Sequence, residues 1–336
     1  MTSNRKSLSY SILELASVAS GNSPAQTFEK SLDLAQKAEE LGYKRFWLAE
    51  HHNMVSIASS APSVLIGHIA GGTKKIRVGS GGVMLPNHSP LIVSEQFGTL
   101  GSLYPDRIDL GLGRAPGTDQ VTAHAIRSDR MQSVYQFPEE IKQIQQYFSL
   151  NNKGAKVRAT VAEGVSVPIY ILGSSTDSAH LAAKLGLPYA FASHFAPAQL
   201  FEALHIYYNE FKPSSFLQEP YTIACINVIA AETDQQAERI STTLIRLIVG
   251  VLTGQSDYMQ EPIDMTPQLR QLSHDPALQR MLKYTFVGSK ETVKQQTTEF
   301  LKQTGVNEIM VASHIYHHED RLNSYRIFAE IMQELS

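Results

Sequence analysis

Cysteine is almost absent from this sequence, since Cys225 is the only one among 336 residues. A lone thiol cannot form an internal disulfide. Because Cys225 falls within an apolar run that predicts a strand, we expect a buried structural thiol and not a nucleophile. The first ten residues contain Arg5 and Lys6, but no apolar stretch follows them. We therefore predict no secretory signal and a cytoplasmic location.

Long apolar runs and an excess of basic residues are also missing. The longest apolar run, around residues 244–252, is interrupted by Arg246 and is shorter than the roughly 20 residues that cross a bilayer. Lys and Arg number 29 against 32 Asp and Glu, for a formal net charge of −3. Such a balance offers no positive field to polyanions. We expect neither nucleic acid nor a membrane as a partner.

The sequence does contain a regular alternation of short apolar runs and helical periodicity. Its 43% hydrophobic content is ample for a core, and its 18% charged content argues against disorder. Apolar runs predict strands at residues 8–13, 45–49, 76–79, 108–112, 169–172, 189–192, 223–230 and 309–312. A helical pattern follows each strand. Such strand–helix units predict an α/β protein of the (β/α)8 TIM-barrel type, with residues 1–336 forming a single domain.

Two connections are too long to be simple turns. They comprise residues 151–167, and residues 253–304 between the seventh helix and the eighth strand. Connections of that length are usually functional or carry short helices. We expect the second, with a possible short helix at 276–283, to be a mobile cover over the barrel mouth. We also predict that Pro138 opens the helix that follows the fourth strand.

Polar residues follow most of the predicted strands. In a barrel of this type the carboxyl ends of the strands form the active-site face, so residues that follow strands meet at one rim. The rim residues are Glu50, His51, His52 and Asn53; Ser80, Gly81 and Gly82; Gly113 and Arg114; Gly173, Ser174, Ser175 and Thr176; Ser193 and His194; and Ser313 and His314. We expect this rim to hold the functional site.

Segment 173–178 is a candidate phosphate cradle. It reads Gly-Ser-Ser-Thr-Asp-Ser at a predicted helix start, where unpaired backbone N–H groups and small side chains let a phosphate approach closely. The alternative is ordinary N-capping by Ser175 or Thr176. Arg114, on the neighbouring loop, could bind the same phosphate or form a surface ion pair. Its candidate ion-pair partners are Asp106, Asp109 and Asp119.

Residues 50–52 admit three interpretations. Next to the Glu50 carboxylate, one imidazole can transfer a proton near neutral pH. Alternatively, His51 and His52 are structural, one bonded to backbone and the other exposed. Metal ligation is disfavoured, because adjacent residues of an extended strand point to opposite sides. The further histidines that would have to join such a metal site are His314, His317 and His318.

Several glycines also bear on function. Gly81 and Gly82 either make a turn or allow a flat ring to approach the backbone. The spacing in 111–117 is GxGxxxG and fails the dinucleotide fingerprint. The sequence also contains no GxxxxGK[ST] and no GxSxG motif, which excludes a phosphate-binding P-loop and a hydrolase nucleophile elbow.

Three blocks of this sequence resemble the bacterial luciferase-like monooxygenase family. They are 46–52 (Phe-Trp-Leu-Ala-Glu-His-His), 78–86 (Val-Gly-Ser-Gly-Gly-Val-Met-Leu-Pro) and 106–114 (Asp-Arg-Ile-Asp-Leu-Gly-Leu-Gly-Arg). Segments 173–175, 182–188 and 286–289 resemble later blocks of the family, so the likeness spans nearly the whole chain. The family consists of flavin-dependent barrels that use reduced flavin and molecular oxygen.

The resemblance implies an FMN site. His51 matches the active-site histidine of the family, which assists oxygen activation or proton transfer, and Glu50 is the second candidate catalytic residue. Gly81-Gly82 matches the place of a non-proline cis peptide behind the flavin ring. Gly113 stands where the luciferase catalytic subunit has a reactive cysteine, which argues against light emission. The positions that match the phosphate contacts are Arg114, Ser174, Ser175 and Ser178, and Gly173 beside them is a further candidate cofactor-binding residue.

The predicted function is therefore that of an FMN-dependent monooxygenase acting on a small organic substrate. Because no nicotinamide fingerprint is present, a separate flavin reductase is expected to supply reduced FMN. The alternatives are an oxidoreductase that uses the deazaflavin F420, a non-catalytic flavin-binding protein, and a metal-dependent hydrolase. The resemblance also implies a homodimer that pairs through helices at 62–70 and 91–100.

Overall fold

The computed structural model describes residues 8–336, apart from the side chain of Arg130. Residues 1–7, which contribute to the prediction of no secretory signal, lie outside the described residues. The strands are β1 (Ser9–Glu14), β2 (Arg45–Leu48), β3 (Arg77–Ser80), β4 (Val83–Met84), β5 (Ile108–Gly113), β6 (Ile169–Gly173), β7 (Tyr189–Phe191), β8 (Thr222–Ala230), β9 (Thr285–Gly288) and β10 (Glu308–Ala312).

Helices follow almost every strand of the sheet. They are α1 (Pro24–Glu40), α2 (Pro62–Gly72), α3 (Pro90–Leu103), α4 (Gln120–Ile126), α5 (Arg130–Phe148), α6 (Thr176–Leu185), α7 (Leu200–Glu210), α8 (Asp234–Thr253), α9 (Pro267–Leu272), α10 (Pro276–Leu282), α11 (Lys290–Thr304) and α12 (His318–Leu335). Within residues 8–336, no helix is both long and apolar enough to cross a bilayer.

The strands close into a parallel barrel. Around it the order is β1, β2, β3, β5, β6, β7, β8 and β10, and β10 pairs with both β8 and β1. Helices cover the outside, so the predicted (β/α)8 TIM barrel is confirmed. The short β4 pairs with the end of β5 and was not predicted.

Strand alternation divides the apolar residues into two layers. One set of side chains packs between the strands and the helices. The other set fills the barrel lumen, because successive side chains of a strand point to opposite faces. The lumen-facing set comprises Leu13, Trp47, Ala49, Tyr170, Ala190, Ile223, Cys225, Met310 and Ala312. Cys225 is thus the buried thiol that the sequence predicts, and burial raises the pKa of its thiol.

The end of the lumen that is formed by the amino ends of the strands holds a buried ion network. Arg45, the first residue of β2, donates from Nη1 to Asp109 Oδ2 at 2.7 Å and from Nε to Glu308 Oε1 at 2.8 Å. Its Nη1 also donates to the Tyr170 hydroxyl at 2.8 Å. These residues lie at the amino ends of the strands. The charged layer therefore lies opposite the carboxyl-end rim.

The insertion at 253–304 contains more regular structure than expected. The short helix predicted at 276–283 is present as α10. However, residues 285–288 form β9, which pairs in parallel with the second half of β8, and residues 290–304 form α11. Neither β9 nor α11 was predicted from the sequence.

The part of the insertion nearest the mouth is anchored. The Met259 amide donates to the Val18 carbonyl at 2.9 Å, and the Ser20 amide donates to the Met259 carbonyl at 2.8 Å. The Thr243 hydroxyl on α8 donates to the Gln260 carbonyl at 2.9 Å. Met259 is 3% exposed. The predicted cover is therefore tied to the β1–α1 loop and to α8.

One helix start was predicted wrongly. Pro138 lies inside α5, which begins at Arg130. The buried face of α5 continues back from Ile141 through Phe137 to Ser133. These spacings keep the preceding turn on the same helix face, so the helix continues through Pro138 despite the missing N–H.

Candidate active site

The barrel mouth has two unlike halves. On β3, β5 and β6 it is formed largely by backbone, because the residues there are glycine or serine; we call this the backbone half. On β7, β8, β10 and β2 it carries imidazole and amide side chains; we call this the histidine half. The backbone half comprises Gly81, Gly82, Gly113, Gly173, Ser174 and Ser175, and the histidine half comprises His194, Asn227, His314 and His51.

Gly81 and Gly82 lie in close contact with neighbouring strands. The peptide bond between them is cis, as the resemblance implies. A Cβ on Gly81 would lie 2.6 Å from Leu13 Cδ1, and a Cβ on Gly82 would lie 2.8 Å from the Gly111 carbonyl oxygen. Real Cβ atoms are not found this close to backbone oxygen. Gly82 therefore has no room for a side chain, whereas a side chain at Gly81 would require the Leu13 side chain to move.

The N-terminus of α6 lacks the side-chain cap that the sequence suggested. Ser175 is the N-cap residue, but its hydroxyl makes no cap hydrogen bond. The Ser178 hydroxyl donates to the Ser175 carbonyl at 2.7 Å and lies 3.0 Å from the Tyr189 hydroxyl. A Cβ on Gly173 would lie 2.0 Å from Ser178 Oγ. The first-turn N–H groups of α6 are therefore not satisfied by the expected serine.

Arg114 lies over the same helix start. Its Nη2 is 3.1 Å from Asp177 Oδ2, in the first turn of α6. Two of the three aspartates considered from the sequence are bound elsewhere, since Asp109 lies in the buried ion network and Asp119 caps α4. The exposed ion pair that the sequence offered as the alternative is formed with Asp177 instead. The structure thus brings Arg114 and segment 173–178 together, as the cradle interpretation requires.

Glu50 is fully buried and accepts three hydrogen bonds. Its Oε1 lies 2.9 Å from His52 Nε2 and 2.8 Å from His88 Nε2, and its Oε2 accepts from the Met84 amide at 2.9 Å. Burial opposes ionisation, but the hydrogen bonds from His52 and His88 outweigh it and lower the pKa of Glu50 to about 2. Glu50 is therefore a carboxylate at neutral pH.

The histidine that Glu50 orients is not His51. His51 is held by the β5–α4 loop, with Nδ1 3.3 Å from the Gly117 carbonyl oxygen. Because a carbonyl can only accept, Nδ1 carries the proton and Nε2 remains a proton acceptor. Burial lowers the pKa of His51. The sequence left open which imidazole Glu50 orients, and the structure shows His52, together with His88. His88, which the sequence analysis missed, carries no local signal of this role.

His194 and His314 share one region with His51. Burial lowers the pKa of His194 to about 3, and the nearby His314 and His51 lower it further. Burial also lowers the pKa of His314 to about 4, with His51 acting in the same direction. All three rings are thus neutral near pH 7. Asn227, a neighbour of His194, was missed, although it continues the lumen-facing series Ile223 and Cys225 on β8.

The remaining histidines do not join this group. His317 Nε2 lies 3.6 Å from Glu261, and His318 Nε2 lies 2.7 Å from Asp33. Among residues 8–336, no three His, Cys, Asp or Glu side chains lie close enough together to hold a metal ion.

Comparison with known proteins agrees with this architecture. A sequence profile described as luciferase-like monooxygenase matches residues 9–308. A luciferase-like monooxygenase of Escherichia coli strain K12 is 46% identical over 98% of both chains. An N-acetyl-S-alkylcysteine monooxygenase of Bacillus subtilis is 33% identical over 95% of this chain and 97% of its own length. The crystal structure of apo-MsnO8 has a TM-score of 0.88 at 36% identity, over 98% of this chain and 99% of that chain.

Two more distant structures share the fold alone and differ in cofactor. The oxygenating component of 3,6-diketocamphane monooxygenase from Pseudomonas putida, in complex with FMN, has a TM-score of 0.70 at 18% identity over 96% of this chain and 97% of that chain. An F420-dependent secondary alcohol dehydrogenase also has a TM-score of 0.70, at 16% identity over 98% of this chain and 99% of that chain. Matches of this extent show that the chain belongs to the luciferase-like monooxygenase family and is a flavin-dependent oxidoreductase.

Proposed function

We propose that this protein is an FMN-dependent monooxygenase that uses reduced FMN and molecular oxygen on a small organic substrate. The observation that carries the proposal is the division of the barrel mouth. A half made of backbone suits a flat ring and a phosphate, while a half made of neutral polar side chains suits an organic substrate. The whole chain, 1–336, is proposed to act as one domain.

The backbone half fits FMN. The uncapped first turn of α6 and the Arg114 guanidinium together offer N–H donors and positive charge to a phosphate. The neighbouring residues Gly173, Ser174 and Ser175 are small enough to let it approach, and the Ser178 hydroxyl lies within the same turn. Gly81 and Gly82 leave room for a ring at the backbone. When bound in its reduced form, FMN supplies the activation of oxygen for transfer of one atom to substrate.

His51 is proposed as the catalytic residue for proton transfer. Its Nδ1 is held by the Gly117 carbonyl, so Nε2 accepts a proton from a reacting group on the lumen side. Glu50 is proposed as a positioning residue. Its carboxylate binds His52 and His88 and accepts from the Met84 amide. These contacts fix the backbone on either side of His51 and next to Gly82. The substrate is proposed to lie against the histidine half.

The proposed partners follow from the same arrangement. A separate flavin reductase would deliver reduced FMN, since the chain carries no dinucleotide fingerprint. A homodimer through α2 and α3 is supported by two exposed apolar side chains, Val64 at 69% and Ile92 at 47%, which a partner subunit would cover. We propose a cytoplasmic enzyme on the ground of the single cysteine.

Cofactor titration tests the proposal. Purified protein is titrated with FMN, reduced FMN and F420, and binding is followed by calorimetry. Tight binding of FMN over F420 is expected, and Arg114→Ala should weaken it about tenfold or more, because a charge-assisted contact to phosphate contributes about 1.5–3 kcal/mol. Arg239→Ala, at an exposed site on α8, is the matched control. Preference for F420, or no binding of either cofactor, would contradict the proposal.

Turnover separates an enzyme from a flavin-storage protein. Photoreduced FMN, air and a thioether, such as the N-acetyl-S-alkylcysteines named for one relative, form the first substrate trial, with oxygenated product measured by mass spectrometry. His51→Ala is expected to keep FMN binding and to lose at least about 100-fold in rate, since proton transfer contributes about that much. The exposed His205→Ala on α7 should change neither. Equal turnover in wild type and His51→Ala would remove His51 from the mechanism.

A further inference from the structure

Two buried polar atoms in the histidine half lack a partner. Nδ1 of His194 and Oδ1 of Asn227 have no hydrogen-bonding atom within reach in the described part of the chain. Buried polar atoms are nearly always hydrogen-bonded, because leaving one unpaired forfeits its interaction with water. Two such atoms on two residues in contact indicate a site where a bound ligand supplies the missing hydrogen bonds.

The orientation of the Asn227 amide is fixed. Its Nδ2 donates to the His194 carbonyl at 2.7 Å and lies 3.2 Å from the Thr285 hydroxyl. Because the His194 carbonyl can only accept, the NH2 group must face it, and a flipped amide would set oxygen against oxygen. Oδ1 therefore points away from both neighbours. Asn227 is 3% exposed, so water has little access to this acceptor.

Asn227 also lies where a substrate would be. It is the lumen-facing residue of β8 that follows Ile223 and Cys225 toward the carboxyl end, and those two residues line the lumen. His194 lies in the turn that follows β7, and its carbonyl is 2.7 Å from Asn227 Nδ2. His51 and His314 both lower the pKa of His194, so the three rings lie near one another.

The region around His51, His194 and His314 is uncharged near neutral pH. The pKa of His194 is lowered to about 3 and that of His314 to about 4, chiefly by burial. The charged groups that act on His314 are Glu14 and Arg321, and these form a buried ion pair with each other at 3.3 Å. A charged substrate group would thus be desolvated here without a free counter-charge.

We propose that His194 and Asn227 form a recognition site for an uncharged substrate group that carries an N–H or O–H donor, such as an amide or an alcohol. The donor satisfies Asn227 Oδ1, and a second polar atom of the same group pairs with His194 Nδ1, which donates or accepts according to its tautomer. A ketone or aldehyde offers no donor and leaves Oδ1 unpaired. A carboxylate accepts only and brings an unpaired charge. This inference rests on the proposed function, because it assigns the substrate side of the same barrel mouth.

The experiment uses two probes of the same shape, acetamide and acetone, of which only acetamide carries N–H donors. Protein with 15N-labelled histidine is titrated with each probe, both without cofactor and with oxidised FMN, and the His194 ring nitrogens are followed by NMR. Their resonance is assigned from the spectrum of His194→Gln. Acetamide should shift it saturably, and acetone should bind about tenfold or more weakly, as expected for one unpaired buried acceptor.

Asn227→Leu should abolish the preference for acetamide over acetone, whereas Asn209→Leu, on the exposed face of α7, should leave it intact. Circular dichroism and FMN affinity report whether each variant remains folded. Equal affinity for both probes, no shift at His194 with either probe, or a preference retained in Asn227→Leu would each overturn the inference. FMN binding is measured in the same samples. Its absence would contradict the proposed function, independently of how the two probes bind.

Discussion

Glu50 shows what one buried residue can organise at the rim. Three donors converge on its carboxylate from two separate segments: His52 from the loop after β2, and Met84 and His88 from the connection between β3 and α3. The two histidines share Oε1, while Oε2 accepts the backbone amide. A carboxylate suits this place because both of its oxygens are acceptors only.

Glu50→Gln is expected to destabilise the protein by about 2–3 kcal/mol at pH 7. An amide has one acceptor oxygen, so its NH2 group would face one of the three donors and leave that donor unpaired. Urea unfolding of the wild type and the variant measures the difference. Glu29→Gln, at an exposed position on α1, is the control and should change stability little.

The contribution of Glu50 should depend on pH in a defined direction. Its pKa is lowered from an ordinary 4.5 to about 2 in the folded protein. The ionised group therefore stabilises the fold fully above about pH 4.5, and this contribution is lost as the pH falls toward 2. The gap in unfolding free energy between wild type and Glu50→Gln should shrink between pH 6 and pH 3. A gap that is constant or grows over that range would show that Glu50 is not a stabilising carboxylate.

At the scale of elements, the spacing of β3 and β5 shapes the backbone half. A Cβ on Gly111 of β5 would lie 2.2 Å from the Ser80 carbonyl oxygen of β3. The Ser80 side chain also bonds to Gly111, accepting from its amide and donating to its carbonyl, both at 2.9 Å. The backbones of β3 and β5 therefore lie in close contact. This contact places Gly81 and Gly82, which follow Ser80, at the barrel mouth.

Gly111→Ala is expected to cost about 2–3 kcal/mol of stability and to weaken FMN binding. The methyl group meets backbone rather than a flexible side chain, so β3 must move away and Gly82 must move with it. Thermal unfolding and FMN titration measure the two effects. Gly154→Ala is the matched control, because a Cβ there meets nothing within 4 Å. Unchanged stability and FMN affinity in Gly111→Ala would refute the account of the backbone half.

Element boundaries also show where local sequence signals are sufficient. Helix α6 ends at Leu185, and Gly186, which follows it, adopts the left-handed conformation that glycine favours at helix ends. Helix α1 begins at Pro24 because Ser23 and Gln26 form a capping box, which is also a local signal. Helix α11 and strand β9 were missed because the stretch was interpreted through its prolines and its length.

At the scale of the whole molecule, the buried ion network and the candidate active site lie at opposite ends of the barrel. The amino ends of the strands enclose Arg45, Asp109 and Glu308, all nearly inaccessible, while the carboxyl ends carry the neutral rim. Removing one partner of a buried ion network leaves an uncompensated charge, and this is far more costly than losing a surface pair.

Arg45→Met should therefore lower the free energy of unfolding by about 3–5 kcal/mol, because Asp109 and Glu308 both lose a buried counter-charge. FMN affinity, measured at a temperature where the variant stays folded, should be preserved because the network is remote from the mouth. Arg239→Met removes an exposed pair with Asp264 and should cost at most about 1 kcal/mol. Equal losses in the two variants would show that the buried ion network around Arg45 does not stabilise the barrel.

The sequence by itself determined the barrel and the rim. Alternating runs of period 2 and 3.6 are local properties of the chain, and the parallel barrel brings every strand end to the same face. For this reason Arg114 and segment 173–178, distant in sequence, could be expected to meet. The resemblance of 46–52, 78–86 and 106–114 to a known family pointed in the same direction.

Only the tertiary structure decided which side chains contact one another at the rim. Spacing indicates that Glu50 and His51 are neighbours, yet strand alternation turns Glu50 outward toward His52 and His88 while His51 bonds to Gly117. The unpaired acceptor of Asn227 likewise depends on where the His194 carbonyl lies. Such contacts join segments with no local relation, and their geometry follows from strand pairing and packing, which no local pattern encodes.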